Sequence, residues 1–92
     1  MNRDEARDFL TDIAKLGSIR LPGHCKERMR ERNVATDDLC HVLLWGTIHE
    51  LEFQDDGTWK CKVVGPDIDG DELTFVIVFD PKERFVLCIT VF

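Results

Sequence analysis

Apolar residues in the first half of the chain recur at the spacing of helix faces. Phe9 and Ile13 lie one helical turn apart behind an acidic first turn, and Gly17 follows this segment as a helix stop. Thr36 is a good N-cap residue, because its hydroxyl oxygen can accept a backbone N–H, and two aspartates in the first turn follow it. The pattern predicts three helices: Asp4–Leu16, Pro22–Asn33, and a third that begins after Thr36 and ends at Gly46.

The second half changes to a period of two, which indicates strands. The turn Asp55–Gly57 separates the first two, and the last two are apolar on both faces, so we expect those two to lie centrally or to be covered on both sides. The predicted strands are Ile48–Phe53, Trp59–Val64, Leu73–Phe79 and Phe85–Phe92. Three helices followed by a four-stranded antiparallel meander make an α+β fold.

The length of 92 residues indicates one domain. No stretch approaches the ~18 consecutive apolar residues that a transmembrane helix needs. The first residues also lack the apolar run of a signal peptide. We therefore expect a cytoplasmic protein with no membrane segment.

The cysteines and the acidic loop give no metal-binding pattern. Cys25, Cys40, Cys61 and Cys88 are separated by 15, 21 and 27 residues, without a CxxC pair, and each falls in a predicted helix or strand. Such cysteines are usually small buried side chains. In the loop 67–71, Gly70 stands fourth rather than sixth, which does not fit a calcium loop. No metal and no cofactor is expected.

A basic segment lies within an acidic chain. The net charge is −6, made up of −1 for residues 1–19, +3 for residues 20–32 and −8 for residues 33–92. An acidic protein is a poor candidate for nonspecific nucleic-acid binding. The basic segment can still bind a phosphate locally, so the search for function begins there.

One stripe of the second helix combines an imidazole with guanidinium groups. His24, Arg28 and Arg32 fall within about 80° of one another on a helix. Imidazole transfers protons near pH 7, and fixed cations stabilise charge that develops on phosphate oxygens, which suits metal-free phosphoryl transfer. The alternative is a structural helix whose arginines pair with Glu27, Glu31 or acidic strands, and geometry alone favours that alternative.

Other candidates have weaker patterns. Lys60 and Lys62 share one face of the second strand, where they either point at a substrate or protect a sheet edge. Thr90 lies among apolar neighbours in the last strand and either contacts substrate or satisfies a backbone group. His41 and His49 are isolated and are interpreted as ordinary surface or boundary residues.

Several motifs in order resemble domain of unknown function family 4258. The run His24-x3-Arg28-Met29-x2-Arg32 opens the similarity, and a helix ending at Trp45-Gly46 follows it. The second half contributes three more motifs: Lys62-Val63-Val64-Gly65, Asp69-Gly70, and Ile89-Thr90-Val91. The similarity covers roughly residues 20–92, as one compact domain, and leaves residues 1–19 as a helix outside it.

That family is similar to the RelE-like and colicin-E5-like ribonuclease toxins, in which helices pack on an antiparallel sheet. The resemblance implies metal-independent RNA cleavage by the ribose 2′-hydroxyl, and a cognate antitoxin protein that binds the site. It implies that His24 is the general acid–base group and that Arg28 holds the phosphate. Lys62 would stabilise developing charge, and the implied substrate-binding residues are Arg32, Lys60 and Thr90.

Two other classes of function stay open. In the first, the chain is an acidic interaction module that binds a basic protein without catalysis. The charge of −8 over residues 33–92 supports this hypothesis. A structural or regulatory dimer formed through an exposed strand edge is the second.

Overall fold

The computed structural model describes residues 1–16 and 18–92, and confirms the α+β class. Its elements, in chain order, are the helix α1 (Arg3–Leu16), the strand β1 (Ile19–Arg20), the helices α2 (Gly23–Glu31) and α3 (Thr36–Trp45), and the strands β2 (Thr47–Phe53), β3 (Trp59–Pro66), β4 (Glu72–Asp80) and β5 (Phe85–Val91). Gly17, the predicted stop of the first helix, lies outside the described residues.

The sheet has five strands in the order β1-β5-β4-β3-β2. The predicted meander is present as β2 to β5, but the prediction of a purely antiparallel four-stranded sheet is wrong. Ile19 and Arg20 pair in parallel with Val86 and Leu87, so the sheet is mixed. A strand of two residues has no period that a sequence pattern can reveal, which explains why β1 was not predicted.

The start of α3 differs from the prediction by one residue. Ala35 is the N-cap and Thr36 is already helical, so the expected threonine cap is wrong. The Asp38 carboxylate compensates, because its Oδ2 accepts the Ala35 N–H at 2.9 Å while its Oδ1 accepts the Ile68 N–H at 3.1 Å. One side chain thus closes the helix start and fastens the β3–β4 loop to it.

The core lies between the helices and one face of the sheet. Phe9 of α1 stacks on Phe79 of β4, with ring centroids 5.4 Å apart. Arg7 Nη1 donates to the carbonyl oxygens of Leu43 and Leu44 in the last turn of α3, where a helix leaves carbonyls without an intrahelical donor. The largest fully buried side chains are Phe75, Phe79, Leu10, Ile13, Leu39, Leu43 and Ile77.

The opposite face of the sheet, here called the open face, has no helix packed on it among the described residues. Strand register assigns residues to it, because side chains alternate between faces and cross-strand partners share a face. Its members include Lys60, Lys62, Val64, Thr74, Val76, Val78, Leu87 and Thr90. In the described ranges, no helix is long and apolar enough to cross a membrane.

Candidate functional site

Arg28 fastens α2 to the outer edge of β5. Its Nε donates to the Val91 carbonyl oxygen at 3.2 Å, and its Nη1 lies 3.3 Å from Glu31 Oε2. Phe92 exchanges both backbone hydrogen bonds with Thr74, so the carbonyl of the preceding residue must point away from β4. The contact with Glu31 is the kind that the structural alternative expects, and the bond to Val91 in addition satisfies a strand-edge acceptor, while the Arg28 side chain stays 42% exposed.

His24 and Arg32 flank Arg28, one helical turn away on either side. Both are exposed, and Arg32 is the C-cap of α2, with a φ of −91° and a ψ of 1° that lie outside the helical range. Cys25 and Met29 form the buried side of the same helix, so the predicted stripe does border the apolar seam. The imidazole is accessible to a ligand that approaches this edge of the sheet.

Thr90 and Lys62 lie on one cross-strand row of the open face. Lys62 is paired with Val76, which is paired with Thr90 across the next strand. Two strand spacings place their Cα atoms about 10 Å apart. Thr90 also directly precedes Val91, the residue that Arg28 contacts. Arg28 therefore lies at the outer edge of β5 next to Thr90, whereas Lys62 lies two strands away on the open face, and Lys60 lies one side-chain repeat further along β3.

Lys62 is held by an ion pair at an irregular point of β2. Its Nζ lies 3.1 Å from Glu50 Oε2 and 5.8 Å from the ring centroid of Phe92. Glu50 has a φ of 53°, and the strand register shifts between His49 and Glu52. Such a β-bulge adds a residue to one strand and changes the direction of its side chains. Here it brings both Glu50 and His49 to Lys62.

His49 is a member of this region that the sequence analysis missed. Because of the bulge, His49 rather than Glu50 is the cross-strand partner of Lys62. A depression of about 430 Å³ opens beside the pair and is lined by Arg3, His49, Glu50, Lys62, Val64, Thr74 and Phe92. The signal was present in the sequence, since Ile48 and Leu51 are three residues apart, which breaks the period of two.

Another cleft lies on the other flank of α2. It has a volume of about 450 Å³ and is lined by Leu21, Lys26, Met29, Arg30, Asn33, Val34, Ala35 and Thr36. Those residues include two cations but neither a histidine nor a carboxylate, so the cleft offers no group for proton transfer near pH 7. The chemistry therefore favours the open face and the β5 edge over this cleft.

The thiols are protonated packing groups. The Cys25 thiol of α2 donates to Cys88 Sγ of β5, and burial raises the pKa of both. Burial also raises the pKa of Cys61 to about 12. A thiol that stays protonated at neutral pH is a poor nucleophile and a poor metal ligand. Among the described residues, no group of three or more His, Cys, Asp or Glu is placed to hold a metal ion.

The family model described as Domain of unknown function (DUF4258) matches residues 21–92. The chain belongs to the DUF4258 family. No curated protein and no solved structure matches it. The DUF4258 match contains α2, the sheet strands β2 to β5 and every predicted site residue. The helix α1, which begins at Arg3, precedes the match. In this DUF4258 chain α1 is nevertheless packed into the common core through Phe9, Leu10 and Ile13.

Proposed function

We propose that this DUF4258 protein is a metal-independent endoribonuclease with a RelE-like domain, acting as the toxin of a toxin–antitoxin pair. The observation that supports the proposal is the contact of Arg28 with the edge of β5 next to Thr90, whose cross-strand row leads to Lys62, with the exposed His24 one turn from Arg28 on α2. The antiparallel strands β2 to β5, covered on one face by helices, are compatible with a RelE-like architecture.

The proposed reaction needs only groups of this kind. His24 takes the proton of the ribose 2′-hydroxyl while that oxygen attacks the adjacent phosphorus. The bond from phosphorus to the 5′ oxygen breaks, His24 returns the proton to that oxygen, and a 2′,3′-cyclic phosphate remains. Arg28 and Lys62 stabilise the charge on the phosphate oxygens in the transition state.

The remaining predicted residues hold the substrate. Arg32 and Lys60 are exposed cations at the two ends of the group, where each can pair with a backbone phosphate. The Thr90 hydroxyl, on the open face, positions the ribose. An antitoxin would inhibit the enzyme by covering this edge of the sheet, and RNA and that antitoxin are the proposed partners.

Purified protein tests the chemistry directly. Wild type is incubated with single-stranded RNA in excess EDTA, next to the same sequence carrying 2′-O-methyl groups. We expect 2′,3′-cyclic phosphate ends from the RNA and no product from the methylated strand, which lacks the nucleophile. His24→Ala should reduce the rate at least about a hundredfold, the usual contribution of general acid–base catalysis.

Two further variants control for folding and for general charge. Arg30→Ala removes an exposed cation from the other flank of α2 and should cleave like wild type. Arg28→Ala should lose activity and also lower the free energy of unfolding by about 1–2 kcal/mol, because the Val91 carbonyl loses its donor. His24→Ala is therefore decisive, and equal cleavage by His24→Ala and wild type would disprove the assignment.

A second candidate function is an acidic module that binds a basic protein. Residues 33–92 carry twelve acidic and four basic side chains, and two turns at opposite ends of the sheet are rich in aspartate: 55–57 and 67–71. This function predicts a stable complex with a basic partner that dissociates with added salt, and no RNA cleavage in any buffer.

A further inference from the structure

We propose that the depression beside Lys62 is a nucleotide subsite, in which Arg3, His49 and Lys62 bind a phosphate and Phe92 stacks on the adjoining base. The proposal rests on the proposed function in taking RNA as the natural ligand. It extends the proposed site away from the His24 edge, with Lys62 shared between the two parts, and assigns roles to three residues outside the predicted site: Arg3, His49 and Phe92.

The first argument is the convergence of nitrogen donors from three elements. Arg3 comes from α1, His49 from β2 and Lys62 from β3, and all three line one depression of about 430 Å³. The bulge at Glu50 is what turns His49 to the open face next to Lys62. In a chain with a net charge of −6, three such groups around one depression favour an anion.

The second argument is the apolar and hydroxyl part of the same lining. Phe92 is 46% exposed, so part of its ring is accessible to a ligand, and its edge of the depression continues to Thr74 and Val64. Aromatic rings stack on nucleic-acid bases regardless of sequence, and hydroxyl groups accept and donate to sugar or phosphate oxygens. An anion with an attached planar ring fits this lining better than a free phosphate does.

The third argument concerns Glu50, the carboxylate in the lining of the depression. Glu50 Oε2 lies 3.1 Å from Lys62 Nζ, so a bound phosphate competes with Glu50 for that ammonium group. The Glu50 side chain is 61% exposed and is free to move into solvent. Removing its charge while keeping its shape should therefore strengthen nucleotide binding, which is the opposite of what a supporting residue would do.

The test is a titration followed by two-dimensional ¹H–¹⁵N NMR, with 3′-AMP and inorganic phosphate as separate probes. We expect saturable shifts of the amides of His49, Lys62, Thr74 and Phe92 with 3′-AMP, and binding of inorganic phosphate that is weaker by about fivefold or more because it lacks stacking. Lys62→Met should weaken 3′-AMP binding about tenfold, and Glu50→Gln should strengthen it about threefold.

One control variant and the contrary outcomes define what would overturn the proposal. Lys26→Met removes a lysine from the cleft on the other flank of α2 and should leave 3′-AMP binding unchanged. Shifts confined to that cleft or to α2, unsaturable shifts, or weaker binding by Glu50→Gln would each refute the subsite. Equal affinity for 3′-AMP and inorganic phosphate would refute the role of Phe92.

The same experiment separates this inference from the proposed function. If wild type cleaves RNA and His49→Asn cleaves it with the same KM while 3′-AMP causes no shift, the subsite is wrong and the ribonuclease proposal stands. If 3′-AMP binds as expected and no RNA is cleaved, the subsite stands and the ribonuclease proposal fails. A raised KM with an unchanged kcat in His49→Asn supports both.

Discussion

Cys61 shows how a single buried thiol links stability to pH. It lies in the core on β3 at 2% exposure, and burial raises its pKa from 9.0 to about 12. Below pH 9 the thiol is protonated in both the folded and the unfolded chain, so pH has no effect through this group. Above pH 9 the unfolded chain loses the proton first, and the free energy of unfolding falls as pH rises toward 12.

This gives a measurable difference between wild type and Cys61→Ala. Between pH 8 and pH 10, wild type should lose about 1.4 kcal/mol more of its free energy of unfolding than the variant does. Urea denaturation at both pH values measures it, and comparing each protein with itself cancels the cost of the cavity. An equal loss in the two proteins would mean that the Cys61 thiol ionises in the folded state as it does in the unfolded one.

Residue types with a clear chemistry were predictable at this scale, but their partners were not. The period of two correctly placed Lys60 and Lys62 on one face, because alternation is a local property of a strand. The contact of Arg28 with the Val91 carbonyl depends on how α2 packs against β5, which joins residues 63 positions apart. No local pattern encodes such a contact, so the structural role of Arg28 became visible only in the folded chain.

Two glycines set the distance between α3 and β3. Gly46 follows α3 with a φ of −78°, so it does not end the helix through a left-handed conformation. A Cβ there would lie 2.6 Å from the Val42 oxygen and 2.8 Å from the Val64 oxygen, and one on Gly65 would lie 2.5 Å from the Gly46 Cα. The glycines permit close approach of the two backbones.

Gly46→Ala should therefore lower the free energy of unfolding by about 2 kcal/mol or more, because backbone atoms cannot move aside cheaply. The matched control is Gly23→Ala at the start of α2, where a Cβ meets nothing within 4 Å. That change should be neutral or stabilising by up to about 1 kcal/mol, through the higher helix propensity of alanine. Chemical denaturation compares the two, and equal effects would contradict the close-approach argument.

Elements long enough to show several repeats of an apolar pattern were predictable, and short or irregular elements were not. All three helices and the four strands of the meander have enough residues for a period to emerge. Counting the β2–β3 register back from the turn at 55–57 places Glu50 opposite Lys62, whereas the bulge places His49 there. One extra residue thus hid a candidate site residue, since each shift of one position reverses the face of a side chain.

At the scale of the whole molecule, the proposed RNA substrate has to approach an acidic protein. The net charge is −6, and the turns 55–57 and 81–84 lie at the end of the sheet away from Lys62. Lys62 and Trp59 are about 10 Å apart along β3, and both turns lie beyond Trp59. Turn 55–57 carries Asp55 and Asp56, and turn 81–84 carries Glu83 between Lys82 and Arg84. At 10 mM salt the screening length is about 30 Å, so each of these three carboxylates repels an RNA strand at the site.

Neutralising two of these charges should speed association only where they are not screened. The double variant Asp55→Asn/Glu83→Gln should bind labelled single-stranded RNA about two- to threefold faster than wild type at 10 mM salt. At 150 mM salt, where the screening length is about 8 Å, the rates should converge. Stopped-flow fluorescence measures both, with Asp55→Glu/Glu83→Asp as the control of unchanged charge. Acceleration of equal size at both salt concentrations would indicate a local contact with RNA instead of a long-range field, and would place part of the RNA interface at this end of the sheet.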